Sequence, residues 1–116
     1  MRNFRELDIW KRSFDLAARV YQVSDSFPSA EKFGIIAQIR RCSVSIPSNI
    51  AEGCGRNTDN ELMRFLDIAL GSAFELETQL LLSQKLSFGK PEDLTPLIEE
   101  LNQIQKMITG FKKSLK

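Results

Sequence analysis

The sequence predicts an all-α protein: an up-down-up-down antiparallel four-helix bundle, with residues 1–116 forming one domain. Three observations predict it. Four segments place apolar residues at alternating spacings of three and four, the signature of one helix face. The connections between them are short and marked by proline or glycine, which favours antiparallel neighbours. No segment shows strand alternation bounded by hairpin turns.

The first helix spans about residues 5–25. Leu7, Trp10, Phe14, Ala17 and Tyr21 form its stripe, and Ser26-Phe27-Pro28-Ser29 stops it. The second spans about residues 30–54, with Ile35, Ile39, Cys42, Ile46, Ile50 and Gly53 on one face. Pro47 lies deep inside it. An interior proline deletes one backbone hydrogen bond and crowds the preceding turn, so the pattern predicts a kink near residues 43–47. A break into two helices is the alternative, and the stripe keeping register on both sides favours the kink.

Gly53 to Asn57 is the next connection, and Thr58-Asp59-Asn60-Glu61 reads as a capping box. There the threonine hydroxyl caps the amide of Glu61 and the carboxylate reaches back. The third helix continues to about Leu86 on the stripe Leu62, Leu66, Ala69, Ala73, Leu76, Leu80 and Ser83. The fourth begins between Pro91 and Pro96, since either proline suits a first turn. Its stripe is Leu94, Leu97, Leu101, Ile104, Ile108, Phe111 and Leu115. Lys112, Lys113 and Lys116 complement the negative pole of its dipole.

These faces are wider than one seam requires. Ile9, Leu16, Val20 and Val23 widen the first helix, and Phe65, Ile68, Leu70, Phe74 and Leu81 widen the third. A helix apolar over more than half its circumference buries a second face, and in a small bundle the expected cover is another subunit. The expected partner is therefore the protein itself.

Composition narrows the function. Sixteen Lys and Arg against fifteen Asp and Glu give a net charge of +1, without the basic excess of a nucleic-acid coat. No apolar run approaches the roughly 18 residues that span a bilayer, so no membrane association is expected. The segment from Met1 to Glu6 has no apolar stretch after its charges and is not read as a signal peptide. With no export signal and only two cysteines, the expected address is cytoplasmic. Cys42 and Cys54 lie twelve residues apart on one helix, about 18 Å, too far to pair within the chain.

There is no histidine, which removes the commonest general base and metal ligand. The cysteines lack zinc spacing. Gly53-Cys54-Gly55-Arg56 is only superficially like a phosphate loop, without the Lys-Ser/Thr ending or a preceding strand. Glu75 with Glu77, and Glu99 with Glu100, sit too close in sequence to share a helix face as an acid/base pair. No catalytic residue, cofactor, metal or small-molecule substrate is expected, and the chain reads as non-enzymatic.

The polar residues that stand out form two groups. Arg41, Ser45, Asn49 and Glu52 lie along one side of the second helix, and Ser72 and Glu75 interrupt the third. Ser45, Asn49, Glu52, Ser72 and Glu75 are read as a structural or assembly network, with Arg41 or Arg40 paired to Glu75 or Glu52. Gly71, costly inside a helix, predicts close approach of a neighbour along Ala69, Gly71 and Ala73. Residues 29–57 carry four basic side chains against two acidic, the only mildly electropositive internal element. If RNA or DNA binds, Arg40, Arg41, Arg56 and Arg64 are the candidate phosphate contacts.

The segment Arg40-Arg41-Cys42-Ser43-Val44-Ser45-Ile46-Pro47-Ser48-Asn49-Ile50-Ala51-Glu52-Gly53 resembles the signature of the bacterial 23S rRNA intervening-sequence proteins. Residues 65–80 resemble its second half, and Leu7, Trp10 and Tyr21 match as well. The resemblance covers nearly the whole chain. It implies a four-helix bundle that forms a ring-shaped homopentamer. A related group, the accessory variability protein of diversity-generating retroelements, is a basic pentameric barrel working with a reverse transcriptase and nucleic acid. The near-neutral charge here departs from that relative.

Two readings compete. The leading one is a homo-oligomeric scaffold or interaction module. The other is an RNA- or DNA-binding accessory protein, whose affinity would fall steeply with salt.

Overall fold

The computed structural model describes residues 2–115. Four helices account for most of the chain: α1 (Asp8–Ser24), α2 (Ile35–Cys54), α3 (Asp59–Lys85) and α4 (Pro91–Ser114). Short 3₁₀ turns at Phe4–Glu6 and Ser29–Glu31 precede α1 and α2. Among the described residues there is no strand.

The helix limits follow from local chemistry. The Asn3 side chain accepts the Arg5 amide at 3.2 Å and starts the first turn. Pro28 prevents α1 from running on. Ser29–Glu31 manages one 3₁₀ turn before Gly34, at ψ −116°, leaves helical space. The second helix therefore starts at Ile35, five residues later than the apolar pattern suggests.

The helix passes through Pro47 without a break. Thr58 Oγ1 accepts the Glu61 amide at 3.2 Å and begins α3. This is one half of the expected capping box; the reciprocal bond from Glu61 is absent among the described residues. Pro91 opens α4 at its first position, where its missing N–H has no partner to lose.

The topology is fixed by cross-helix pairs. Arg40 near the start of α2 bonds Ser24 at the end of α1. Ser45 and Ser72 share a hydrogen bond between α2 and α3, and Cys42 reaches Glu75. On the next seam Gln84 meets Thr95, Gln105 meets Glu77, and Lys112 pairs with Asp67, an antiparallel register throughout. Arg12 of α1 forks onto Glu100 of α4 at 2.8 and 2.6 Å and closes the ring of four. Each helix thus packs on two neighbours and none on its diagonal partner. The bundle measures 43 × 23 × 20 Å.

One core cluster draws on all four helices. Every member of the stripe read for α3 is buried, as are Ile39, Cys42, Ile46, Ile50 and Gly53 of α2 and Leu94 to Ile108 of the α4 stripe. For α1 the widening arc supplies most of the core face, joined by Ala17 of the stripe, with Leu7 and Trp10 of the stripe packed partly buried against it. Ile9, Leu16, Ala17 and Val20 form the core face, while Phe14 and Tyr21 are 54% and 43% exposed. Helical spacing gives two adjacent apolar arcs, and the narrow aliphatic one fits against α2 and α4 better than the stacked rings do.

Close packing occurs at one glycine in particular. A Cβ at Gly53 would lie 2.8 Å from Phe65 Cβ and 2.9 Å from Leu62 Cδ1, so α2 and α3 meet there without room for a methyl group. Gly71 is a correction to the sequence reading: it is exposed, and a Cβ there meets nothing within 4 Å.

Candidate interaction surfaces

Two features stand out once the core is removed: a polar seam between α2 and α3, and apolar surface that the chain leaves uncovered. The seam grows from small and polar residues facing each other across the closely packed pair. Ser45 and Ser72 hydroxyls meet at 2.8 Å, and Asn49 Nδ2 donates to Ser45 Oγ at 3.0 Å and to the Ser45 carbonyl at 2.8 Å. One turn away, the Cys42 thiol donates to Glu75 Oε2 at 3.4 Å. Gln79 Oε1 is buried beside them with no hydrogen-bond partner among the described residues. Ser45, Asn49 and Ser72 are thus brought together, while Glu75 is not bonded to them and takes the Cys42 thiol instead. Glu52 is exposed and takes no part.

Burial raises the Cys42 thiol from an ordinary value of 9.0 to about 11, and the Glu75 carboxylate adds to the rise. Burial also raises Cys54. Both thiols are buried and free, inert small hydrophobes at neutral pH. The sign for stability follows from linkage. Folded Cys42 keeps a proton that the unfolded chain releases above its own lower pKa. Its contribution is therefore whole below about pH 9 and is lost as pH rises toward 11. We expect Cys42→Ala to flatten the decline in stability between about pH 9 and pH 11, measured by urea unfolding of variant and parent side by side. An unchanged slope would assign the decline to other groups.

The arginines are not assembled into one site. The expected pairing of Arg40 with Glu75 or Glu52 is not made. Arg40 instead donates to Ser24 Oγ at 2.8 Å, the Tyr21 carbonyl at 3.2 Å and Asp25 at 2.8 Å, with its guanidinium 4.7 Å above the Tyr21 ring. These contacts bind the start of α2 to the end of α1. Arg41 is exposed and has no carboxylate within 4 Å among the described residues, so it does not pair with Glu75 either. Arg56 stacks on Phe65 at 4.7 Å, and Arg64 is exposed beside it in sequence. About 22 Å of helix separates Arg41 from Arg56. The four candidates form two pairs at opposite ends of α2. The firmest ion pair lies elsewhere: Arg12 holds the Glu100 carboxyl below its ordinary value through their forked hydrogen bonds.

The apolar surface has two parts. Between α1 and α2 runs an open groove of about 460 Å³ lined by Phe4, Trp10, Phe14, Tyr21, Val44 and Pro47 among others. Three of its rings form a ladder: Phe4 to Trp10 at 5.1 Å, and Trp10 stacked on Phe14 at 4.8 Å. Around the bundle, α3 exposes Ile68, Phe74, Leu81 and Leu82, each between 45% and 52%. The α1 stripe signalled the groove, but its spacing could not say that it faces outward. Phe33, 89% exposed beyond the end of α1, gave no periodic signal at all.

A closed, antiparallel four-helix bundle with a polar α2–α3 seam and uncovered apolar faces defines a class of small helical modules. The particular family follows from comparison. The chain matches the 23S rRNA-intervening sequence protein family over residues 5–110, and it belongs to that family. A similar solved structure is described as a protein with unknown function from the S23 ribosomal protein family from Bacteroides thetaiotaomicron VPI-5482. It superposes with a TM-score of 0.81 and 24% identity, covering 90% of this chain and 98% of its own. At that identity the likeness speaks to the fold alone. No curated protein matches the chain. No helix of the described residues is long and apolar enough to cross a membrane.

Proposed function

We propose that this protein is a non-enzymatic, self-assembling helical module, five copies to a ring, that serves as a scaffold or interaction platform. The observation that carries the reading is the pair of unlike apolar faces on one small bundle. The aromatic groove of α1 and α2 and the apolar arc of α3 lie on different sides. A surface that joins a different surface on the next copy makes a heterologous contact, and heterologous contacts close into rings when the rotation allows. The number five comes from the family resemblance. Large contiguous apolar surface on a soluble chain marks an interaction site. The seam of Ser45, Asn49 and Ser72 then sets the α2–α3 register that positions both faces.

The test is the mass of the native assembly. Native mass spectrometry and sedimentation of the purified protein should give five chains. Phe14→Glu, which places a charge among the stacked rings without touching the core, should give monomers with unchanged helical circular dichroism. A parent protein that runs as a monomer would overturn the proposal, and so would a Phe14→Glu variant that still assembles.

A further inference from the structure

We propose that the shallow cleft around Phe33 binds single-stranded nucleic acid, one base stacking on the Phe33 ring while phosphates meet Lys32 and Arg41. The proposal does not rest on self-assembly, because a single bundle presents the whole cleft.

Phe33 is the most exposed large apolar side chain of the described protein, and it belongs neither to the core nor to the partly buried residues packed against it. Its ring contributes nothing to the fold that a small polar residue would not. It stands instead over a cleft of about 530 Å³ together with Tyr21, Lys32, Arg40 and Arg41. No acidic side chain lines that cleft. Of the nearby carboxylates, Asp25 pairs with Arg40, while Glu31, outside the cleft lining, has an oxygen close to Gly34 and no cation within 4 Å among the described residues. Lys32 Nζ sits 5.6 Å from the centre of the Phe33 ring. Neither Lys32 nor Arg41 has a carboxylate within 4 Å among the described residues.

An exposed ring with Lys32 over one face and the other open, and with cations that have no carboxylate partner, fits a strand whose bases are unstacked. Every base has a face to offer such a ring, and the phosphates that alternate with the bases meet the cations. A duplex offers no free base faces. An acidic peptide would use the cations and leave the ring exposed.

Fluorescence anisotropy with labelled oligo(U) and oligo(dT) of about ten nucleotides tests this, within the range of known single-strand site sizes. Binding is expected at low salt and should weaken roughly tenfold between about 50 and 200 mM salt, as a few phosphate contacts require. Phe33→Ala should weaken it by about tenfold or more, and Phe33→Trp should restore it. Arg41→Gln and Lys32→Gln should each lower the salt slope by about 0.7. All three positions are exposed, so the four variants should keep the parent's circular dichroism. The proposal fails if neither oligonucleotide binds at low salt, if a duplex of the same length binds as well, or if Phe33→Ala binds like the parent. It also fails if Phe33→Ala changes only the mass of the assembly, which would make Phe33 a protein contact, or if oligoglutamate displaces the strand.

Discussion

Leu76→Ala is expected to lower the unfolding free energy by about 3–5 kcal/mol, and Leu81→Ala, on the same helix, to leave the isolated bundle within about 0.5 kcal/mol of the parent. Leu76 is fully buried on the inward face of α3, among residues drawn from every other helix. Truncating it removes the transfer energy of its methyl groups and leaves a cavity that four packed helices cannot collapse to fill. Leu81 is 48% exposed on the outer arc. Its loss should instead weaken association between copies. Urea unfolding at low protein concentration reads the first effect as a shift in midpoint with unchanged slope, and sedimentation reads the second. The melting point of Leu76→Ala should fall by more than about 10 °C. Equal stability losses at the two positions would mean that the outer arc of α3 is buried within the single chain.

The second large contrast is between two glycines. Gly53→Ala should cost about 1–3 kcal/mol, and Gly71→Ala should gain about 0.5–1 kcal/mol. Alanine is the better helix former at both sites, so propensity alone predicts a gain at each. At Gly53 sterics win. The new methyl would sit 2.8 Å from Phe65 Cβ, an atom next to the backbone that cannot swing away, and α2 and α3 would have to separate. At Gly71 nothing lies within 4 Å, and the gain in helix propensity is uncontested. Chemical unfolding of the two variants decides the matter. A gain at Gly53 would show that the α2–α3 contact is looser than its geometry. A loss at Gly71 that depends on protein concentration would place that glycine against a second copy.

The two alanine variants also show where sequence reasoning stops. Gly53 and Gly71 both interrupt helices in the sequence, and a glycine inside a helix signals close approach or nothing. Only the neighbour distinguishes them. The same holds for Arg40, which prefers Asp25 and Ser24 across the α1–α2 turn to the glutamates of the helix pattern. Its true partners are set by where α1 ends, and that depends on Pro28 and on how the chain re-enters at Gly34.

Much was determined by the sequence itself. Spacings of three and four specified four helices, and Pro28, Gly55, Thr58 and Pro91 marked their limits to within a few residues of those observed, except the start of α2, which lies five residues later. The inward faces of α2, α3 and α4 were equally plain, because each carries one dominant aliphatic stripe. The two cysteines, twelve residues apart on one helix, were bound to stay separate. What only the tertiary structure decided is which of two apolar arcs on α1 turns inward, where α2 and α3 touch, and which polar groups meet across them. Periodicity fixes angles around a helix axis and carries no information about what stands opposite. When an apolar arc is wider than one seam, several rotations bury nearly equal area. The choice among them is made by the fit of all four helices at once: aliphatic Ile9, Leu16 and Val20 enter the core, Trp10 packs partly buried against it, and Phe14, stacked on Trp10, stays at the surface.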